Sequence, residues 1–156
     1  MLIEVKAKVA WIIDAKVHKK IETYILDKEV FAEAEYEVMS LLNNNKAEGI
    51  IEDYEIQSLK ISTIREIMTQ YEGECSFIVS LRDILSQDDE SEKILKYKVL
   101  LWADNISEAM AHAREISSQG YDMQIDSLKE MNYTYLISQN NEGGNTVSEN
   151  QITEDA

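Results

Sequence analysis

Proline is absent from this 156-residue chain, and cysteine, histidine and glycine are rare, with one, two and five copies respectively. Because Cys75 is alone, no internal disulfide can form, which is typical of proteins in a reducing compartment. His18, His112 and Cys75 are too far apart in the sequence to match the close ligand pairs of structural metal sites. The glycines form neither a GxGxxG nor a GxxxxGKS/T pattern, so the common phosphate-binding loops are missing. We therefore expect no metal site and no cofactor.

Positive charge is also scarce, since 15 basic residues face 30 acidic ones and the formal net charge is -15. Binding nucleic acid through its phosphates requires an excess of Lys and Arg, so this composition excludes a general nucleic-acid-binding surface and disfavours anionic membranes. No apolar run approaches the roughly 18 residues of a membrane-spanning helix, and residues 1–6 alternate polar with apolar side chains, unlike a signal peptide. We expect a cytoplasmic protein whose mature chain begins at Met1.

A stretch that occurs twice organises the sequence. Residues 54–60 (YEIQSLK) and 123–129 (MQIDSLK) share a Ser-Leu-Lys triplet and a similar apolar pattern. Before each stretch, two strand patterns and one helix pattern follow in the same order. Glu33 and Glu108 are 75 positions apart, whereas the triplets are 69 apart, so the loop between helix and last strand is six residues shorter in the second copy. The chain is therefore predicted to contain one unit written twice.

In the first copy, alternating apolar side chains predict a strand over residues 3–13, a hairpin turn at 14–16 and a second strand over 17–26. A helix pattern then begins at Asp27 or Glu29. Its apolar stripe consists of Val30, Phe31, Ala34, Val38, Leu41 and Leu42.

This helix is predicted to end in the asparagine run 43–45 and at Gly49, because Asn and Gly tolerate the left-handed conformation in which helices stop. A third strand follows over residues 50–61. Residues 61–68 fit either a continued strand or a short helical turn, and the periodicity does not decide between them. Residues 71–74 form the joint between the two copies.

The second copy is predicted to begin with an alternating strand from Phe77 to Leu81 and to return through residues 95–103 after an acidic tip at 86–92. Asp104 or Asn105 can cap the first free amides of a second helix. The stripe of this helix consists of Ile106, Ala109, Met110, Ala113 and Ile116, and Gly120 ends it.

A last strand is predicted from Met123 to the end of the domain. Residues 138–156 have little apolar content and several carboxylates, so we expect a disordered acidic tail. The fold class is predicted to be α+β: two tandem ββαβ repeats, about 1–70 and 74–137, with antiparallel sheets and two packed helices in a single domain over 1–137. Such a fold leaves sheet edges unpaired, and pairing them between subunits predicts a homo-oligomer.

Lysine is concentrated in the first hairpin, which holds five of the 15 basic residues. A cationic hairpin on an anionic protein could receive a small anionic, nucleotide-like ligand, with an aromatic ring to stack on it. The candidate ligand-binding residues are Lys6, Lys8, Lys19, Lys20 and Tyr24. The alternative is that lysine protects an exposed strand from aggregation. Trp11 and Trp102 share faces with other apolar residues and are predicted to lie in the core.

Two other features of the sequence could form a catalytic or a metal site. Cys75 could act as a nucleophile with a histidine, but a free, partly buried cysteine is far more common. The acidic tip, with Asp88-Asp89-Glu90 and Glu92, could hold a divalent cation. It lacks the Gly turn and the D-x-D-x-D-G spacing of a calcium loop, so a solvated hairpin end is favoured. No G-x-S-x-G pattern occurs, and we expect a protein without enzymatic activity.

Residues 24–27 (YILD), 31–35 (FAEAE), 56–60 (IQSLK) and 99–103 (VLLWA) follow one another in an order that resembles an uncharacterised family of small proteins. Members of that family occur in gut Bacteroidota and their bacteriophages, and the resemblance covers about residues 3–137. It implies a small accessory protein, carried by a phage, and it supplies no catalytic residues.

Two functions from different classes follow. The first is a non-enzymatic, oligomerising binding protein, a phage accessory or counter-defence factor that sequesters a small anionic ligand or a protein partner in the host cytoplasm. The second is an acidic charge mimic that occupies a nucleic-acid-binding enzyme, or a structural phage component. The net charge of -15 motivates the second hypothesis.

Overall fold

The computed structural model of the protein describes residues 1–86, 92–120 and 122–137. Most of the predicted acidic tip and the whole predicted tail lie outside these residues. The described part is α+β, as predicted, with two helices and two sheets in which antiparallel pairing predominates. Within this part, neither helix is both long and apolar enough to span a bilayer.

The elements follow one another in the order strand, strand, helix, strand, strand, and this order then occurs again. They are β1 (Leu2–Ile13), β2 (Lys16–Asp27), α1 (Phe31–Ala47), β3 (Ile51–Ile61), β4 (Ile64–Ile67), β5 (Cys75–Ser86), β6 (Glu92–Ala103), α2 (Ile106–Ser117), β7 (Met123–Glu130) and β8 (Tyr133–Leu136). The chain forms two compact units. Of the described residues, unit 1 consists of Met1–Ser62 and residues 133–137, and unit 2 consists of those between Thr63 and Asn132.

Unit 1 is built on the hairpin of β1 and β2. The two strands pair without interruption from Leu2 opposite Asp27 to Ile13 opposite Lys16. Asp14 and Ala15 form the turn, and both have positive φ, 52° and 64°. Positive φ at both central residues is the property of a type I′ turn, whose twist matches that of the paired strands. The turn is therefore one residue shorter than the predicted 14–16.

Helix α1 begins later than predicted, and of its two predicted stops, the asparagine run and Gly49, only Gly49 lies at its end. Its start at Phe31 follows from the length of β2, which continues to Asp27, and Val30 occupies the N-cap without a side-chain hydrogen bond. The predicted end in the asparagine run 43–45 was wrong, because these residues lie inside the helix, which stops at Ala47. Gly49 has a φ of 77° and supplies the left-handed residue after the helix.

The core of unit 1 lies between α1 and one face of its sheet. It consists of Ile3, Val5, Ala7, Val9, Tyr24, Leu26, Ala34, Val38, Leu42 and Ile51. The side chains that alternate with this set on β1 point to the opposite face of the sheet. Trp11 is partly buried and packs against this core.

One charged side chain of unit 1 is buried. Glu4, which is 6% exposed, accepts a hydrogen bond from Ser62 Oγ at 2.6 Å, and the Tyr133 hydroxyl lies 3.3 Å from the same carboxylate oxygen. The Lys60 ammonium lies 3.9 Å from the other oxygen. These partners compensate the cost of burying a carboxylate, and they connect β1 to the end of β3 and the start of β8.

Unit 2 has a comparable arrangement of β5, β6, α2 and β7. Asn105 caps α2 as predicted, since its side chain accepts a hydrogen bond from the Glu108 amide at 2.9 Å. The core between α2 and the sheet consists of Phe77, Val79, Leu81, Val99, Leu101, Ala103, Ala109, Ala113 and Ile116. The predicted helix stripes therefore face the cores through Ala34, Val38 and Leu42 in α1 and through Ala109, Ala113 and Ile116 in α2. Val30, Phe31 and Ile106, at the N-terminal ends of the stripes, are exposed, so their predicted burial was wrong.

Each sheet is completed by a four-residue parallel strand at its edge. The strand order is β3-β1-β2-β8 in unit 1 and β4-β6-β5-β7 in unit 2. Strand β8 pairs with β2, and β4 pairs with β6, both in parallel. The predicted antiparallel pairing therefore holds for three strands of each sheet, and the fourth strand of each sheet departs from it by pairing in parallel. Residues 61–68, which the sequence allowed as either a strand or a helical turn, contain the strand β4. Residues 131–132 interrupt the predicted last strand.

Short connections explain why β4 does not complete the sheet of unit 1. The edge beside β2 lies three strand spacings from β3, which is about 14 Å. Only three residue steps separate Ile61 from Ile64, and they span at most about 11 Å. Strand β4 therefore cannot reach that edge, and β8 occupies it. The connection from Glu130 to Tyr133 also has only three residue steps, so β8 cannot reach the corresponding edge beside β6.

Candidate functional site

The structure divides the predicted ligand-binding residues between two faces of the unit 1 sheet. Lys6 and Lys8 alternate with core residues on β1, so they lie on the face opposite α1. Lys19 is paired with Ala10 and lies on the same face as these two lysines. Lys20 is one residue from Lys19 along β2, and Tyr24 is five residues from it. Because side chains alternate along a strand, both lie on the other face of the sheet. The five residues therefore do not form one site.

Tyr24 is part of the core and is not an accessible stacking surface. It is 3% exposed, and its hydroxyl donates a hydrogen bond of 2.6 Å to Glu22. The same carboxylate accepts a bond of 2.7 Å from the Trp11 indole N–H. Burial, followed by the charge of Glu22, raises the pKa of Tyr24 above its ordinary value. Tyr24 and Trp11 are therefore both engaged by the Glu22 carboxylate.

Lys8 and Lys19 do line a common cavity, but it is small and contains acidic groups. Its volume is about 170 Å³, and its remaining lining residues are Ala10, Asp53, Tyr54 and Glu55. Asp53 also lies 3.3 Å from the Lys46 ammonium. Because two carboxylates accompany the two lysines, this cavity offers little net attraction to an anion.

Unit 2 contains a larger cavity of about 490 Å³. We refer to it as the unit 2 cavity; it is lined by Thr63, Ser80, Leu81, Lys96, Tyr97, Lys98, Asp126 and Ser127. Ser80 is paired with Lys98 on one side and with Ser127 on the other, so one lysine and two hydroxyl residues form a row across three strands. Neighbouring side chains in such a row are about 5 Å apart. Lys96 lies two residues from Lys98 on the same face.

The one acidic residue of this cavity is already paired. Asp126 accepts two hydrogen bonds from the Arg82 guanidinium, of 2.6 Å and 3.1 Å. In the part of the chain that the structure describes, neither Lys96 nor Lys98 forms an ion pair. The unit 2 cavity therefore combines two free ammonium groups with three hydroxyl groups, a donor set that suits a phosphate or carboxylate.

An arginine contacts the remaining aromatic residue of the cavity. The guanidinium carbon of Arg65, in β4, lies 4.5 Å from the centre of the Tyr97 ring, within the range of a cation–π contact. The Tyr97 hydroxyl lies 3.6 Å from the Met123 sulfur, and burial raises the pKa of this tyrosine. The ring is thus held between β4 and β7 and packs against the unit 2 core, on the face of the sheet opposite Lys96 and Lys98.

The histidines and the cysteine do not converge. His18 is exposed on β2, whereas the ring of His112 on α2 stacks on Tyr71 with centroids 4.3 Å apart. Desolvation and nearby carboxylates, Glu130 first, raise the pKa of the Cys75 thiol, which disfavours the nucleophilic thiolate. Among the described residues, no three His, Cys, Asp or Glu side chains are grouped so as to hold a metal ion.

The sequence did not single out Lys96 and Lys98 as site residues, because the five lysines of the first hairpin form the denser cationic cluster. A signal was present. Both alternate with Tyr97 on a predicted strand, and Ser127 belongs to the repeated Ser-Leu-Lys triplet. What the sequence did not contain was the pairing that aligns Ser80 with both.

Comparison with known proteins identifies one family. No curated protein and no solved structure shows significant similarity to the chain. A family profile described as a domain of unknown function, DUF4494, matches residues 3–139. This match covers most of the chain and includes every secondary-structure element of the described residues except the first residue of β1, Leu2. The chain therefore belongs to the DUF4494 family.

Proposed function

We propose that the chain consists of two tandem ββαββ copies that exchange their last strands. Two structural coincidences support this proposal. In each unit the third strand has a bulge one residue before the Ser-Leu-Lys triplet, at Gln57 and at Asp126. The residue after that strand also makes the same backbone bond in both units, from the Ser62 amide to Leu2 at 2.8 Å and from the Met131 amide to Ser76 at 2.9 Å.

We further propose that the protein is a non-enzymatic binding protein whose unit 2 cavity takes a small anionic ligand. The observation that carries this proposal is the convergence of two unpaired lysines and three hydroxyl groups on one cavity. Its volume, about 490 Å³, lies within the range of small-molecule sites. The site is cationic on a protein with a net charge of -15, so local charge, and not the overall field, must select the anion.

Binding without turnover is the favoured form of this function. The carboxylate of the cavity, Asp126, is held by Arg82 and is not available as a general base. Lysines and hydroxyl groups, by contrast, can each donate a hydrogen bond to a phosphate oxygen. We name a nucleotide or another phosphomonoester as the ligand class, because such a molecule offers several acceptor oxygens to this row of donors.

Thermal unfolding with a panel of inorganic phosphate, 5′-AMP and cyclic nucleotides tests the proposal. A ligand present at 100 times its Kd stabilises the folded protein by about 2.7 kcal/mol. Loss of one charged hydrogen bond costs about 1.5–3 kcal/mol, so the Lys98→Ala variant should bind at least about tenfold more weakly.

The matched control is Lys46→Ala, which removes the same charge from an exposed pair on α1. We expect its affinity for the ligand to equal that of the wild type. The proposal is wrong if no anion of the panel stabilises the protein, or if both variants lose affinity equally.

A second candidate is binding of a basic protein partner through α1. Tyr36 is 73% exposed and lies between Glu33 and Glu37 on this helix, and an exposed aromatic ring among carboxylates is unusual for a solvent-facing surface. A charge mimic acting through this helix should bind its partner with an affinity that falls steeply as salt increases. Association that is insensitive to salt would exclude this alternative.

A further inference from the structure

The unit 2 cavity is bordered by the segment that leads into and forms β4. We call residues 63–67 the β4 arm. Thr63, its first residue, lines the cavity directly. Arg65 lies over the ring of Tyr97, another lining residue. The arm therefore contacts the site at its wall through Thr63, and Arg65 fastens the arm, on the opposite face of the sheet, to the strand that carries Lys96 and Lys98.

The pairing of the β4 arm is short and one-sided. Ile64 is paired with Lys98 and Ile67 with Leu100, and the register shifts between them at Arg65. The next residue, Met68, donates its amide to Leu100 at 2.8 Å. A four-residue parallel edge strand with an irregular register has few bonds to lose, so it opens at a lower free energy than the strands inside the sheet.

We infer that the β4 arm is the ligand-responsive wall of the unit 2 cavity, docked by Arg65 and stabilised when an anion is bound. This inference rests on the proposed function and adds its regulation. An anion held by Lys98 lies on the strand to which the arm is paired, and the Thr63 hydroxyl borders the same space. If the ligand binds only the docked arm, binding and docking must favour each other.

Strand β8 provides an internal control for this behaviour. It is also a four-residue parallel edge strand, and it is paired with β2 from Thr23 to Leu26. It belongs to unit 1 and does not line the unit 2 cavity. An effect of ligand on edge strands in general would appear in both strands, whereas the inferred coupling appears only in the β4 arm.

Amide hydrogen exchange of the full-length protein, with and without 5′-AMP, tests the inference. A second series uses inorganic phosphate to separate recognition of the phosphate from recognition of the nucleoside. At 100 times the Kd, we expect exchange of amides 64–68 to slow by up to about 100-fold, with no change at 133–136. Binding without slower exchange at 64–68 would overturn the inference and leave the proposed function intact. Absence of any binding would overturn both.

Arg65→Ala tests the role of Arg65 as a positioning residue. Because an exposed cation–π contact contributes about two- to fivefold to an equilibrium, amides 64–68 should exchange faster by this factor without ligand, whereas the Kd for 5′-AMP should change by less than this factor because the arm remains docked in most molecules. The matched control is Arg114→Ala on the exposed surface of α2. If Arg65→Ala and Arg114→Ala exchange equally in this segment, Arg65 does not dock the arm.

Discussion

Removal of β8 should destabilise unit 1, although β8 lies at the opposite end of the sequence from that unit's other strands. The stability of a chain that ends at residue 137 is compared with that of a chain that ends at residue 132. The shorter chain loses Leu136, which packs against the core of unit 1, and the bond from the Tyr133 hydroxyl to Glu4. It also uncovers Ile25 and Leu26, both fully buried and paired with β8.

The expected cost can be worked out from these contacts. Burial of the partly exposed Leu136 contributes about 1 kcal/mol, and re-exposing a third of Ile25 and Leu26 costs about 1–2 kcal/mol. The hydrogen bond to the Glu4 carboxylate is long, 3.3 Å, and contributes about 1 kcal/mol. The loss is therefore about 3–4 kcal/mol, a large part of the roughly 5–15 kcal/mol that stabilises a protein of this size.

Urea unfolding followed by tryptophan fluorescence measures this loss. In a Trp102→Phe background, Trp11 alone reports on unit 1, since it packs against that core. With a slope of about 2 kcal/mol per molar urea, the midpoint should fall by about 1.5–2 M in the chain ending at residue 132. Equal midpoints for the two chains would refute the reasoning, because β8 would then contribute nothing to unit 1.

Three further predictions concern single residues. Gly73→Ala should lower Tm by roughly 5–10 °C, because the new Cβ would lie 2.3–2.6 Å from the backbone of Ala103; an unchanged Tm would contradict the close approach. Asp126→Asn should tighten binding of 5′-AMP about two- to fivefold in calorimetry by releasing Arg82 from its ion pair, and weaker binding would count against the cavity as an anion site. Burial and the neighbouring carboxylate raise the pKa of Tyr133 to about 12. The folded state then keeps a proton that the unfolded state loses above pH 10, so stability should fall between pH 10 and 12, and less steeply in Tyr133→Phe.

The elements of the fold were predictable where one physical pattern dominated. The period of two in β1 and the stripe of α2 both reflect burial on one face, and the structure places most of these residues in or against the cores, whereas Ile13 and Ile106, at the ends of the two patterns, are exposed. The end of α1 was not predictable from its asparagine run, because contacts with β3 hold these residues in the helix: Asn43 accepts a hydrogen bond of 2.8 Å from the Tyr54 hydroxyl, and Lys46 lies 3.3 Å from Asp53. Glycine at position 49 was the decisive signal, and the asparagines were not.

The parallel pairing of β8 with β2 and of β4 with β6 could not be predicted from periodicity. It depends on the distance between two sheet edges compared with the length of a two-residue connection, and this distance is defined only once the strand order is known. The same holds for the site. Lys6 and Tyr24 are close in sequence but lie on opposite faces, whereas Ser80, Lys98 and Ser127 are distant in sequence and aligned by pairing.

Homo-oligomerisation through sheet edges stays a prediction. In the described residues the edge strands are β3 and β8 in unit 1, and β4 and β7 in unit 2. Strand β3 is the longest of them, with 11 residues, and is the most extensive edge for pairing with a second copy. Native mass spectrometry of protein purified from its host reports the subunit number and any retained ligand together.

A titration of the isotope-labelled protein with 5′-AMP, followed by amide chemical shifts, most directly tests anion binding in the unit 2 cavity. We predict saturable shifts that are largest at Thr63, Ser80, Lys98 and Ser127 and absent from the lysine-rich hairpin of unit 1. Shifts confined to that hairpin, or no saturable shifts at all, would contradict the proposed site.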